Sequence, residues 1–259
     1  MKITVFTSNH TRHISLINKL GTIADQLFII QESRSIFPGL NISRYYKSNI
    51  LHNYFQNVNR AQEFFFKDKN IFTKKNIFLL PLALGDLSHL NLKDLTKFLK
   101  SDLYIVFGSS YIKNDLCDFL INNNAINIHM GISPYYRGTD CNFWALNDKN
   151  YHLVGATVHL LSKGLDNGDI LYHALPKYFE DPFLFTMSSV VSAIDSLIER
   201  IKDKSIFKFE TIKQDKKLEI NYTKIKEFNE KVVERFTKSN LKIKKIDYDI
   251  GLFYKPYFL

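Results

Sequence analysis

Short apolar runs alternate with helical stripes along most of the chain. Ile3 to Phe6 reads as a strand. Ile14, Leu16, Ile17 and Leu20 follow at helical spacing within Asn9 to Leu20, and Leu27 to Ile30 is strand-like again. A strand–helix–strand opening predicts a parallel α/β sheet. After a Pro38-Gly39 turn, Tyr45, Leu51, Tyr54, Phe55, Val58, Ala61 and Phe65 recur at helical intervals and predict a long aromatic helix. Asn76 to Leu84 predicts a strand ending near Pro81, and Leu92 to Leu99 a helix. Leu103 to Phe107 has the unbroken apolar character of a buried parallel strand, closed by the turn Gly108-Ser109-Ser110. Lys113 to Ile121 then reads as a helix, and Ala125 to His129, Val154 to Leu160 and Ile170 to His173 as strands. Asp181-Pro182 opens a helix, because Asp caps and proline suits the first position. Its stripe is Leu184, Met187, Val191, Ile194, Ile198 and Ile201. From about residue 204 onward the pattern is mixed.

Composition narrows this picture. The 259 residues are 45% hydrophobic and 14% aromatic, enough for one large domain with an appendage and unlike a disordered or fibrous chain. The apolar start is too short for a signal peptide core, and no stretch reaches the length of apolar residues that a membrane span needs. Cys117 and Cys141 form no CxxC pattern, so a reducing cytoplasm is the expected setting. The net charge is +9, and Lys202 to Asp247 carries 14 Lys or Arg against 8 Asp or Glu. The signs alternate along that tail, which favours a solvated surface over a nucleic-acid-binding one.

The candidate chemistry lies between Ile126 and Leu171. Asn127 and His129 close a predicted strand, two positions apart, and so share one side of it. Open α/β sheets bind ligands at the carboxyl ends of strands. An amide and an imidazole there supply an oxyanion donor and a proton shuttle. Asn-x-His alone is a weak signal, and Leu165-Asp166-Asn167-Gly168 alone is ordinary turn chemistry. His159 and His173 fall within strands and read as structural, and Phe143 and Trp144 read as packing residues. No metal-ligand spacing occurs.

Taken in order, Asn127, His129, Pro134, Arg137, Gly138, Thr157, Asp166 and Gly168 resemble the pattern of the 10-formyltetrahydrofolate-dependent formyltransferases. The departure is Gly131-Ile132-Ser133-Pro134, where that family usually has Ser-Leu-Leu-Pro. The resemblance implies a Rossmann-like formyltransferase domain with a mostly parallel sheet over residues 1–203, and a small α+β extension over residues 204–259. It also implies a mechanism. An acceptor amine attacks the formyl carbon, Asn127 and a protonated His129 stabilise the oxyanion, and Asp166 holds and polarises His129. The co-substrate is 10-formyltetrahydrofolate, with no metal. Its pterin is expected against Phe107, Gly108, Ser109, Tyr111 and Ile112, with Pro134, Arg137, Gly138 and Asp169 nearby. Arg137 either anchors a charged group or braces its loop; Asp169 either meets the pterin edge or caps the turn.

The acceptor is open among three kinds. Glycinamide ribonucleotide formyltransferases have a glycine-rich loop after the first strand, whereas Thr7 to His13 contains no glycine. Methionyl-tRNA formyltransferases carry a separate C-terminal barrel, for which this tail is too short. Enzymes that formylate nucleotide-linked amino sugars of bacterial surface polysaccharides, such as lipopolysaccharide, are similar in length. That substrate is therefore expected, with Ser8, Asn9 and Arg12 as candidate contacts at a helix start. No membrane or nucleic-acid partner is expected. The aromatic helix is open to packing within the chain or at a homodimer interface. The alternative of another class is a non-catalytic, basic nucleic-acid-associated module.

Overall fold

The computed structural model describes residues 1–33, 48–66, 72–208 and 210–259. The strands among them are β1 (Lys2–Ser8), β2 (Gln26–Ser33), β3 (Ile77–Ala83), β4 (Leu103–Phe107), β5 (Ile126–His129), β6 (Tyr136–Gly138), β7 (Ala156–Leu160), β8 (Ile170–Leu175), β9 (Asn221–Thr223) and β10 (Tyr257–Phe258). The helices are α1 (Thr11–Leu20), α2 (Asn49–Phe66), α3 (Asn114–Asn122), α4 (Cys141–Asn147), α5 (Pro182–Lys202) and α6 (Glu230–Lys238). Eight strands form one sheet in the order β10-β8-β7-β5-β4-β1-β2-β3. Strands β3, β2, β1, β4 and β5 are mutually parallel, β7 is antiparallel to both β5 and β8, and β10 runs parallel to β8.

The continuous apolar runs explain this order. Every residue of β4 is buried, as are Ile3, Val5 and Phe6 of β1, because a central parallel strand is covered on both faces. Strand β3 runs through Pro81 to Ala83 at the sheet edge, where a missing N–H is tolerated. Helix α5 begins as its sequence indicates: Asp181 Oδ1 accepts the N–H groups of Phe183 and Leu184, each at 2.9 Å. Its Ile194 and Leu197 join the core that lies against β7 and β8. By length and composition α5 could cross a membrane, yet 61% of its most apolar window is buried inside the fold, as in a core helix.

Two expectations change. Residues 92–99 form successive turns instead of a helix, with bonds such as Leu95 N–H to Leu92 C=O at 3.2 Å. The carbonyls of Phe98 and Leu99 are taken by the Thr4 and Tyr104 hydroxyls at 2.5 and 2.6 Å. The aromatic helix begins at Asn49; Tyr45 and the Pro38-Gly39 turn lie outside the described residues. Tyr54 of α2 meets Phe143, Phe183 and Phe228 edge-on, so this part of the helix packs within the chain.

The tail after residue 203 docks on the same framework. Strand β9 pairs with β6, β10 with β8, and α6 contacts α2. Tail lysines pair with acids at the surface, as in Lys238–Glu234 at 2.7 Å and Lys242–Glu180 at 3.0 Å. Strand order reverses at β1, whose neighbours are β2 and β4, and the carboxyl ends of β1, β4 and β5 share one edge. Ligand crevices of open α/β sheets form at such a switch point.

Candidate active site

Asn127 and His129 sit at the end of β5, and Asp166 reaches them from the loop between β7 and β8. His129 Nδ1 lies 3.3 Å from Asp166 Oδ2, and its Nε2 lies 3.1 Å from the Tyr136 carbonyl. A carboxylate and a carbonyl only accept, so satisfying both contacts needs a proton on each ring nitrogen, and the ring is an imidazolium. Burial works against that charge, but Asp166, with a smaller contribution from Cys141, outweighs it and His129 titrates well above the usual imidazole range. Burial likewise pushes Asp166 up, and the neighbouring His129 outweighs this, so the carboxyl ionises well below its usual range.

His159, set aside as structural on sequence grounds, belongs to this cluster. It stands directly opposite Asn127 across the β5–β7 ladder. Its Nδ1 donates to the Leu160 carbonyl at 2.8 Å, which leaves Nε2 to accept the Asn127 amide at 2.9 Å. A second, longer contact runs from Asn127 Nδ2 to Asp166 Oδ1 at 3.4 Å. Only the ladder register reveals His159's role, because it lies 32 positions from Asn127.

The turn after β4 adjoins this cluster. Phe107 is buried, with its carbonyl bonded to Thr7 Oγ1 at 2.7 Å. Gly108 has φ +77°, and a Cβ there would come within 2.6 Å of His13 Nε2, so the backbone approach requires glycine. Ser109 Oγ donates to the Ser110 carbonyl at 3.1 Å, and Ile112 is buried. The exposed Tyr111 donates to the Lys163 carbonyl at 2.5 Å, tying the turn to the Asp166 loop. The buried Glu32 at the end of β2 accepts Ser110 N–H at 2.6 Å, Ser110 Oγ at 2.8 Å and Gly85 N–H at 2.8 Å. Glu32 and His13 gave no sequence signal, because their partners are distant or backbone groups.

The other expected residues divide. Pro134 follows a cis peptide bond and is buried; Ser133 N–H donates to Thr157 Oγ1 at 2.8 Å. Arg137 is spent on its own fold: it donates to the carbonyls of Leu165 at 2.9 Å and Asp166 at 3.3 Å, and pairs with Glu219 at 2.7 Å. Of the two readings of Arg137, the structure therefore favours the brace. Gly138 lies in β6, beside Thr223 of β9. The Asp169 carbonyl accepts Leu160 N–H at 2.9 Å, closing the loop. Ser8 and Arg12 lie at the neighbouring end of β1 and start of α1, with internal partners: Ser8 Oγ meets His13 Nδ1 at 2.6 Å, and Arg12 donates to Gln62 at 2.8 Å. Asn9 sits between them and has interactions of its own. Among the described residues no group of three or more His, Cys, Asp or Glu is placed to hold a metal ion.

Residues 88–192 match the profile of the formyl transferase family. That segment resembles a formyl transferase domain. That segment contains Asn127, His129, Asp166 and the turn after β4. No curated protein matches the sequence significantly. Among solved structures, a 4-N formyltransferase from Francisella tularensis superposes with a TM-score of 0.54 at 22% identity, over 88% of this chain and 77% of that one. An N-formyltransferase from Helicobacter canadensis, in complex with folinic acid and dTDP-3-aminofucose, gives 0.53 at 13% identity, over 88% and 73%. Glycinamide ribonucleotide transformylase 1 from Symbiobacterium toebii gives 0.54 at 16% identity, over 83% and 94%. At these identities the superpositions establish a shared fold. The strand-end cluster thus lies within the matched segment, on the expected α/β framework.

Proposed function

We propose that the protein transfers a formyl group from 10-formyltetrahydrofolate to the amine of a nucleotide-linked amino sugar, in the cytoplasm. The observation that carries this reading is His129, held as an imidazolium between Asp166 and the Tyr136 carbonyl, with the Asn127 amide alongside. The turn after β4 fits a flat pterin. Gly108 leaves it without a side chain where it meets His13, and the exposed Tyr111 ring borders the Asp166 loop.

The carrier supplies an N-formyl carbon open to attack by an amine. His129 Nε2–H, resting on the Tyr136 carbonyl, is the proton available to an oxyanion forming at that carbon. The hydrogen in the long Asn127–Asp166 contact is the second. Donors already in place stabilise such charge without reorganising. Asp166 keeps the ring charged and stands where the amine proton can pass through water to N10 of the carrier. The oxyanion then collapses, the bond between the formyl carbon and N10 breaks, and tetrahydrofolate leaves with that proton as the formamide forms.

The sugar acceptor rests on two observations. The structures that superpose over most of this chain include an N-formyltransferase holding a nucleotide-linked aminofucose with folinic acid. The described residues after 203 dock on the sheet and on α2 as two short strands and a helix. The test is formyl transfer from 10-formyltetrahydrofolate to nucleotide-linked 3-amino and 4-amino sugars, with glycinamide ribonucleotide and methionyl-tRNA alongside, for wild type and His129→Ala. Turnover on an amino sugar that collapses in the variant supports the proposal. Turnover only on the ribonucleotide or the tRNA overturns the acceptor. Absence of both transfer and folate binding overturns the reaction.

A further inference from the structure

The loop bearing Asp166 is held from outside itself. Asp166 has φ +47°, in the left-handed region that disfavours residues other than glycine. Three carbonyls of this loop take side-chain donors from elsewhere in the fold. Arg137 covers Leu165 and Asp166. From the C-terminal tail, Gln214 Nε2 donates to the Asp166 carbonyl at 2.9 Å and to the Gly168 carbonyl at 2.8 Å. A two-way backbone bridge brings Gln214 there: Ile170 N–H to Ile212 C=O at 2.8 Å, and Ile212 N–H to Ile170 C=O at 3.0 Å. The amide orientation is fixed, because both neighbours are acceptors and only the nitrogen can serve them. The other end of the amide has a cost. Gln214 Oε1 is buried without a hydrogen-bond partner among the described residues.

We propose that Gln214 is a positioning residue for formyl transfer: its two bonds hold the Asp166 backbone so that the carboxylate stays on His129. The tail thereby becomes part of the active site. This rests on the formyl-transfer reading above, but its structural core can be tested without turnover. The groups that face His129 are Asp166 from the β7–β8 loop, Cys141 from α4, His159 from β7 and the Tyr136 carbonyl. Of these, Asp166 is the one that Gln214 touches. A loosened Asp166 lowers the pH at which His129 loses its proton.

The test compares Gln214→Met, which keeps volume and removes both donors, with Gln214→Glu, which places an acceptor against two carbonyls. The exposed Lys213→Ala is the control. Thermal unfolding establishes that each variant is folded. The pH profile of kcat is measured with the amino sugar, and the His129 ring is titrated by NMR in the ligand-free protein, assigned with His129→Ala. Both Gln214 variants are expected to lose up to about 100-fold in kcat, the scale for displacing a catalytic group by about 1 Å. KM should change little, the alkaline limb and the His129 titration should both move to lower pH, and Lys213→Ala should match wild type. A wild-type His129 titration in folded Gln214→Met overturns the proposal. If wild type shows no transfer, the reaction reading fails, and the His129 titration alone decides whether Gln214 positions Asp166.

Discussion

Asp166→Asn should disable the enzyme through the charge of His129 and leave the fold intact. Asn keeps the size of the side chain and removes its charge. With an effective dielectric constant of about 20, unit charges 3.3 Å apart attract by about 5 kcal/mol. Burying an imidazolium costs several kcal/mol, so only part of that attraction remains to raise the ring above its ordinary range. In the variant the opposing effect of burial is left in charge, and His129 becomes neutral at neutral pH. The neutral ring has one proton, carried on Nδ1 or Nε2 according to which end of the Asn amide it meets, and a neutral N–H is a weaker donor to an oxyanion than an imidazolium N–H. Loss of one such donor costs about 100- to 1000-fold, or about 3–4 kcal/mol, which is within the Coulomb term that Asp166 supplies. The sign also applies to stability. Because folding raises the His129 pKa, its contribution is fully present below about pH 6.5 and is lost as pH rises through the folded value. The assay is the initial rate of formyl transfer between about pH 6 and 9, paired with NMR titration of His129. A rate within threefold of wild type across that range, or an unmoved His129 titration, would refute the reasoning.

Further outcomes follow from other contacts. His159→Phe removes the acceptor that orients the Asn127 amide; a hydrogen bond worth about 1 kcal/mol predicts about a fivefold loss of kcat with little change in KM. Gly138→Ala forces a Cβ to within 2.1 Å of the Thr223 carbonyl at φ +93°, and should destabilise the protein by at least about 2 kcal/mol in thermal unfolding. His173 is buried, donates to the Ser133 carbonyl at 2.9 Å and accepts Tyr254 N–H at 2.9 Å; burial pushes its pKa down to about 4. The unfolded chain binds that proton first, so stability should fall by about 3 kcal/mol as pH drops from about 6.5 to 4, and His173→Gln should flatten the dependence in denaturant titrations. Asp181→Ala removes the α5 cap and its ion pair with Arg60, at a cost of about 1 kcal/mol in the same measurement.

Strand β4 was legible because a strand buried on both faces must be apolar throughout. The Asp181-Pro182 start of α5 was legible because capping is local chemistry. Alternation placed Asn127 and His129 on one side of a strand, and the family resemblance singled them out together with Asp166. What escaped depends on long-range partners. Leucines at 92, 95 and 99 satisfy a helical pattern, yet the segment folds as successive turns whose final carbonyls are fixed by the Thr4 and Tyr104 hydroxyls. His159 gains its place from the β5–β7 register, and Gln214 from the neighbouring bridge between Ile212 and Ile170. Glu32 looks like an ordinary strand-end charge until Gly85 and Ser110 converge on it.

Among the described residues strand β3 ends the sheet opposite β10, and Pro81 lies within it at that edge. A bare sheet edge is a template for recruiting a strand from another chain, and a proline withholds one of the donors that such recruitment needs. Alignment along β3 would break at that position, so self-association through a continuous intermolecular sheet is disfavoured there. The proline thus guards the fold against an ordered form of aggregation, and replacing it with valine would remove that protection without touching the strand ends that carry Asn127 and His129.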